Sequence, residues 1–258
     1  MPSQDIYFGS KAYERQPVAL ITGGTKGLGQ ALAQQLLARG YAVAICGRTQ
    51  GLVEGNVTAW NQWGPVMGVV GDLSEQCVAD RLLHAVVEHW GRLDVLVNNA
   101  STLGIVPLPS LRSFDTENCV KVFQLNVVIP LYLVSRALPY LDRCGGISVA
   151  ISSDAAMGGY EGWAVYGSAK AALDLAYATL ANEEPHLRFY SVDPGDMDTE
   201  MHHAAIPGDP GPLRDPGDVA QAIISLLANS ASQSLFPSGS RLIVRETHMG
   251  LQLQGEHR

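Results

Sequence analysis

Short, unbroken apolar runs alternate with helical runs along this chain, and that alternation leaves few folds open. Val18–Thr22, Tyr41–Cys46, Val66–Val70, Leu93–Val97, Ile147–Ser152 and Leu187–Val192 each read as a strand, with Arg241–Val244 as a last one. Gln30–Arg39, Glu75–Trp90, Phe114–Leu141, Tyr166–Asn182 and Pro216–Ala228 carry helical spacing, with Asp72 or Ser74 expected to cap the second of these. A strand wetted on one face alternates polar and apolar residues, whereas one covered on both faces does not. Strands alternating with helices build βαβ units with right-handed crossovers. The expected fold is α/β, a doubly wound parallel sheet with helices on both faces. In such sheets ligands bind beyond the carboxyl ends of the strands, where the strand order reverses.

At 258 residues, 47% hydrophobic and 16% charged, the chain can bury a large core. We expect one domain from residue 17 to 258, with residues 1–16 as an N-terminal arm and a tail from about residue 245. The segment Gly195–Asp215 reads as a long loop. A net charge of −8 disfavours nucleic acid as a partner. The four cysteines form no Cys-x-x-Cys pair, so neither a disulfide framework nor a metal site is expected. His202-His203 are neighbours, a poor arrangement for one ion. Met1–Gln16 lacks an apolar leader core, and no run reaches the length of a membrane span. A cytoplasmic protein without a membrane partner is the expectation.

The chemistry starts at Thr22-Gly23-Gly24-Thr25-Lys26-Gly27-Leu28-Gly29, between the first strand and the first helix. Residues without Cβ let backbone N–H groups and a helix N-terminus approach a pyrophosphate. Flanked by strand and helix, the motif points to nucleotide binding and a Rossmann-type sheet. Its Thr-Gly-x-x-x-Gly-x-Gly spacing resembles the short-chain dehydrogenase/reductase family, in the branch of roughly 250-residue single-domain enzymes.

That resemblance implies further sites. Gly23, Thr25, Lys26, Gly27, Leu28 and Gly29 would bind the dinucleotide. After the second strand, Gly47 stands where NAD-using members carry an acid, and Arg48 follows it. Arg48 and Lys26 match positions that hold the 2′-phosphate, so NADP(H) is expected over NAD(H). Asp72-Leu73 are similar to the pair that contacts adenine. Asn98-Asn99-Ala100 resembles the Asn-Asn-Ala-Gly signature, with Asn99 and Ala100 as contacts and Ser101 in place of the glycine. Pro194, Gly195, Met197 and Thr199 match the segment that positions the nicotinamide carboxamide.

Tyr166 and Lys170, four residues apart, share a helix face. With Ser153 thirteen residues upstream and Asn126 in the long helix, they resemble the family's catalytic set. A phenol titrates near 10 and needs a cation beside it to serve as an acid/base at neutral pH. Lys170 is expected to be that cation, Tyr166 the proton donor, and Ser153 the donor to the developing oxyanion. The resemblance gives Lys170 the nicotinamide ribose and Asn126 a relay water. It implies NADP(H)-dependent carbonyl reduction or alcohol oxidation of a small molecule. A homodimer or homotetramer through the helices of Asn126 and Tyr166 is also implied. The competing reading is a silent NADP(H)-binding sensor; a third is an isomerase or dehydratase. Trp163 and Tyr160 either wall the pocket or simply pack.

Overall fold

In the computed structural model, residues 5–9, 16–227 and 235–256 are described. The strands are β1 (Ile6–Phe8), β2 (Val18–Ile21), β3 (Ala42–Gly47), β4 (Val66–Val70), β5 (Val95–Asn98), β6 (Ile147–Ile151), β7 (Arg188–Asp193), β8 (Arg241–Thr247) and β9 (Gly250–Glu256). The helices are α1 (Gly27–Ala38), α2 (Gln50–Trp60), α3 (Gln76–Trp90), α4 (Thr116–Phe123), α5 (Ile129–Cys144), α6 (Ala164–Glu183), α7 (Glu200–Ala205) and α8 (Pro216–Leu227). The expected helix over Pro216–Ala228 is described from Pro216 to Leu227, and Ala228 lies outside the described residues.

One sheet holds the strands in the order β1-β4-β3-β2-β5-β6-β7-β8-β9. Strands β2 to β8 pair parallel, and β1 and β9 close the two edges antiparallel. The order reverses between β2 and β5, which opens a crevice beyond their carboxyl ends. Every residue of β2, β5 and β6 is buried, because helices cover both faces. On one face Leu32, Leu36 and Ile223 pack on Ile21 and Val97; on the other Leu82, Leu133 and Leu173 pack on Leu20 and Leu96. Each such side chain contributes roughly 1.5–3 kcal/mol by leaving water.

The structure departs from the sequence reading at local features. Within the segment read as an arm, Ile6–Phe8 forms an edge strand on β4, from Ile6 opposite Val69 to Phe8 opposite Met67. Beyond residue 245 the chain makes a hairpin, with Arg241 opposite Glu256. Helix α2 escapes periodicity because its only buried residues are Val53, Val57 and Trp60. The six-residue α7 sits inside the expected loop 195–215. Asp72 does not cap α3: its Oδ1 accepts from Ser74 N at 2.9 Å, and the helix starts at Gln76 after Glu75.

The long helical stretch Thr116–Cys144 corrects the reading that no segment has membrane-span length. Its 29 residues are long and apolar enough to cross a membrane by length and composition. In this fold its apolar side chains Ile129, Leu133, Val134 and Ala137 belong to the core beside the sheet. The stretch is not one regular helix. Gln124–Val128 forms a π turn between α4 and α5, just ahead of Pro130, and such bulges re-aim the side chains they carry.

Candidate active site

A cavity of about 700 Å³ fills the crevice between β2 and β5. It is lined by Gly23, Thr25, Lys26, Gly27, Leu28, Arg48, Asp72, Leu73, Asn99, Ala100, Ser153, Tyr166, Lys170, Pro194, Gly195, Met197 and Thr199. Of the residues expected from the sequence, only Gly29 and Asn126 stand behind its wall, Gly29 on buried α1 and Asn126 1% exposed in the π turn.

The glycine turn is built to leave space beside backbone. Gly23 and Gly27 take φ of +64° and +52°, a region that penalises any side chain. A Cβ on Gly23 would stand 3.0 Å from Ala100 Cα. At Gly29 it would collide with the Gly23 carbonyl. Asn99 locks the turn: its Nδ2 donates to the Thr22 carbonyl at 2.9 Å and the Gly23 carbonyl at 3.1 Å. Thr22 Oγ1 accepts in return from Asn99 N and Ala100 N, both at 3.0 Å. The N-terminus of α1 therefore faces the cavity with its amides and its dipole.

Gly47 ends β3 with no acid there, and Arg48 is exposed at the cavity edge. Lys26 is engaged by a carboxylate that spacing does not reveal: its Nζ lies 2.7 Å from Glu200 Oε1, at the start of α7. Thr199 Oγ1 accepts from His202 N and so caps α7. Opposite, Asp198 N donates to the Arg214 carbonyl at 2.9 Å, while the Arg214 guanidinium donates to the Pro194 and Val244 carbonyls. This tethering places Met197 and Thr199 beside the glycine turn. The glycine turn and the helix N-terminus fit a dinucleotide's pyrophosphate.

Helix α6 buries one polar stripe, Tyr166, Lys170 and Asp174, at i, i+4 and i+8. Lys170 Nζ donates to the Ile151 carbonyl at 2.7 Å and stands 5.5 Å from the centroid of the Tyr166 ring. Burial lowers the Lys170 ammonium to about 8, against the pull of Asp174. Burial likewise pushes the Tyr166 phenol up to about 12, against hydrogen bonds from Ser101 and Ser153, with Asp193 and Asp154 adding to the rise. In this structure removal from water is the largest influence on the phenol.

Ser153 follows β6, with Oγ donating to Asp154 Oδ1 at 3.0 Å and accepting from Ala155 N at 3.1 Å. Ser152 is buried beneath, donating to Asp174 Oδ2 at 2.9 Å. Asn126 closes on the loop after β5: Oδ1 accepts from Thr102 N at 2.9 Å and Ser101 Oγ at 3.2 Å, and Nδ2 donates to the Thr102 carbonyl at 2.9 Å.

Sequence reasoning missed Arg241. This side chain is 1% exposed and donates to Asp174 Oδ2 at 2.9 Å, the Ser153 carbonyl at 2.7 Å and Asp193 Oδ2 at 3.4 Å, and it pairs with Glu256. An arginine inside an apolar strand pattern was the signal available. Trp163 packs edge-on to Tyr166 at 5.6 Å and lines the cavity, whereas Tyr160 is exposed. Among the described residues no group of three or more His, Cys, Asp or Glu side chains is placed to hold a metal. His202 and His203 instead pair with Asp209 and Asp198, each at 2.7 Å.

Residues 17–209 match the family model described as short chain dehydrogenase. Mouse (Mus musculus) sepiapterin reductase is 34% identical over 245 residues, covering 84% of this chain and 94% of that one. An alcohol dehydrogenase from the archaeon Thermococcus sibiricus, solved with 5-hydroxy-NADP, superposes with a TM-score of 0.79 at 26% identity, over 90% of this chain and 97% of that one. A short chain dehydrogenase from Shigella flexneri, solved with NADP, gives a TM-score of 0.80 at 25% identity, over 88% and 96%. With this fold, this cavity and these matches, the chain belongs to the short-chain dehydrogenase/reductase family and is an oxidoreductase of that kind.

Proposed function

We propose that this protein is an NADP(H)-dependent carbonyl reductase or alcohol dehydrogenase in which Tyr166 is the general acid/base. The observation that carries the reading is the convergence of Tyr166, Lys170 and Ser153 on one cavity with the glycine turn. Reduction needs a hydride at carbon and a proton at oxygen; a bound dinucleotide supplies or takes up the hydride. Tyr166 delivers the proton as the substrate oxygen gains charge, and Ser153 turns its hydroxyl from Asp154 to that oxygen. Lys170 holds a positive charge beside the phenol, 5.5 Å from the ring centroid, and in this reading also binds the nicotinamide ribose. Asn126 fixes the loop carrying Ala100 and Ser101 rather than touching substrate.

Arg48 and Lys26 are the proposed 2′-phosphate anchors, and absence of an acid at Gly47 favours NADP(H) over NAD(H). Leu103, Trp163 and Ala205 bound the reactive end, with the carboxylates of Asp154 and Asp196 on the lining. That mixture suits a neutral carbonyl compound better than a carboxylate. The exposed apolar residues Val120 and Val128 on the long helical stretch and Leu175 on α6 support a homodimer or homotetramer through these helices. A cytoplasmic location remains part of the proposal.

The test is Tyr166→Phe with NADPH and a panel of neutral ketones. Turnover should fall 10²–10⁴-fold, the usual contribution of a positioned acid, with NADPH affinity retained. Wild-type protein that binds NADPH tightly and turns over no carbonyl compound would instead be the silent sensor. A product with no net redox change would identify an isomerase or dehydratase.

A further inference from the structure

We propose that the N-terminal strand β1 is a positioning element of the dinucleotide site, Tyr7 and Asp5 bracing the two loops that would receive the adenosine end of NADP(H). The inference rests on the reading of Arg48 and Asp72 as cofactor contacts. It extends that reading to residues outside the family match, which begins at residue 17.

Strand β1 lies at the outer edge of the sheet, antiparallel to β4, and its side chains divide between the two faces. Tyr7 packs on the layer that contains Val57 and Trp60 of α2, and Ile6 on the opposite layer, which contains Val78 and Leu82 of α3. Two polar links run from this segment to loops at the cavity. In the first, Tyr7 Oη accepts from Gln50 Nε2 at 2.6 Å. Gln50 opens α2, two residues after Arg48. In the second, Asp5 Oδ2 pairs with Arg81 Nη1 at 3.3 Å, and Arg81 Nη2 donates to the Val70 carbonyl at 2.6 Å. The Asp5 carbonyl also accepts from Val70 N at 2.8 Å. Val70 ends β4, directly before the turn Gly71-Asp72-Leu73 that lines the cavity. The two loops are joined in turn, Gly71 N donating to the Gly47 carbonyl at 3.0 Å.

Arg48 is exposed, so the fold can fix only its backbone, and that is set by where α2 begins. Tyr7 holds that beginning from the edge strand. It therefore acts on the 2′-phosphate, which NADPH has and NADH lacks. Asp5 acts through the Asp72 turn, and so on the adenosine that both nucleotides share. Neither residue lines the cavity; both work through others. Linkage makes the effect reciprocal: a strand that favours the binding-competent loops must itself be held more firmly once nucleotide is bound.

The test is equilibrium binding of NADPH and NADH to the full chain, followed by nucleotide fluorescence. Tyr7→Phe removes one oxygen and keeps the ring. It should raise the Kd for NADPH roughly threefold to tenfold, the worth of one hydrogen bond, and leave that for NADH unchanged. Gln50→Leu should do the same. In an Arg48→Ala background Tyr7→Phe should cost nothing further. Asp5→Asn should raise both Kd values together. Hydrogen exchange supplies a second readout: NADPH should slow exchange of the amides of residues 5–9, and less so in Tyr7→Phe. Thermal melting checks that the variants fold. Unchanged NADPH binding by Tyr7→Phe, or equal loss of both nucleotides, overturns the role of Tyr7. Exchange at residues 5–9 that ignores NADPH overturns the role of β1. Either result leaves the Arg48 reading intact, whereas wild-type protein that binds NADPH no more tightly than NADH would sink the 2′-phosphate reading itself.

Discussion

Lys26 Nζ and Glu200 Oε1 stand 2.7 Å apart, joining the glycine turn to the first residue of α7 across the mouth of the cavity. Both side chains are largely exposed, so the pair contributes little to stability in itself. Its consequence is for binding. Under the proposed NADP(H) reading, Glu200 occupies the ammonium that the 2′-phosphate would use, and a carboxylate near a phosphate repels it. Glu200→Gln should lower the KM for NADPH several-fold and leave that for NADH nearly unchanged. Equal changes for the two cofactors would remove Lys26 from the phosphate site.

Arg48 is exposed and lines the same cavity. A guanidinium–phosphate pair is charge-assisted and often bidentate, unlike a contact to a ribose hydroxyl. Arg48→Ala should raise the KM for NADPH about tenfold or more and shift the ratio of kcat/KM towards NADH. Steady-state kinetics with both cofactors measures this directly.

Lys170 makes stability depend on pH in a stated direction. Its folded pKa, about 8, lies below the ordinary lysine value of 10.5, so between these limits the unfolded chain binds more protons. The cost of burying the charge is full below pH 8 and is relieved as pH rises towards 10.5. Stability of the wild type relative to Lys170→Met should therefore rise across that window, by at most about 3 kcal/mol. Above pH 10 the buried Tyr166 and Tyr177, both raised to about 12, act oppositely: the folded state keeps protons that the unfolded state loses, so stability falls. Urea denaturation at a series of pH values separates the two.

Arg241 compensates Asp174 and Asp193 where all three are buried. Removing one member of a buried pair costs about 3–5 kcal/mol, because the partner stays desolvated. Arg241→Met should destabilise the protein by roughly that amount. Because the Ser153 carbonyl loses its donor as well, kcat should fall more than KM rises in whatever protein remains folded. Unchanged denaturation midpoints would show that the cluster carries no such energy.

Val18–Ile21 and Ile147–Ile151 announced themselves because a strand buried on both faces has no room for polar alternation. Gly23, Gly27, Tyr166 and Lys170 could be found because turn and helix chemistry are local: a positive φ and an i, i+4 spacing are written in consecutive residues. Ser101 was visible only as a departure from glycine, and its partner Asn126 lies 25 residues away in sequence.

What the chain order determined is the alternating pattern, hence the sheet, its two covered faces and the end at which ligands enter. What only the folded structure decided is which distant groups meet, Glu200 at Lys26 and Arg241 under Ser153, and how far the Tyr166 phenol is withdrawn from water. Periodicity is a short-range property of the backbone, whereas desolvation and charge pairing depend on separations that exist only once the sheet has closed.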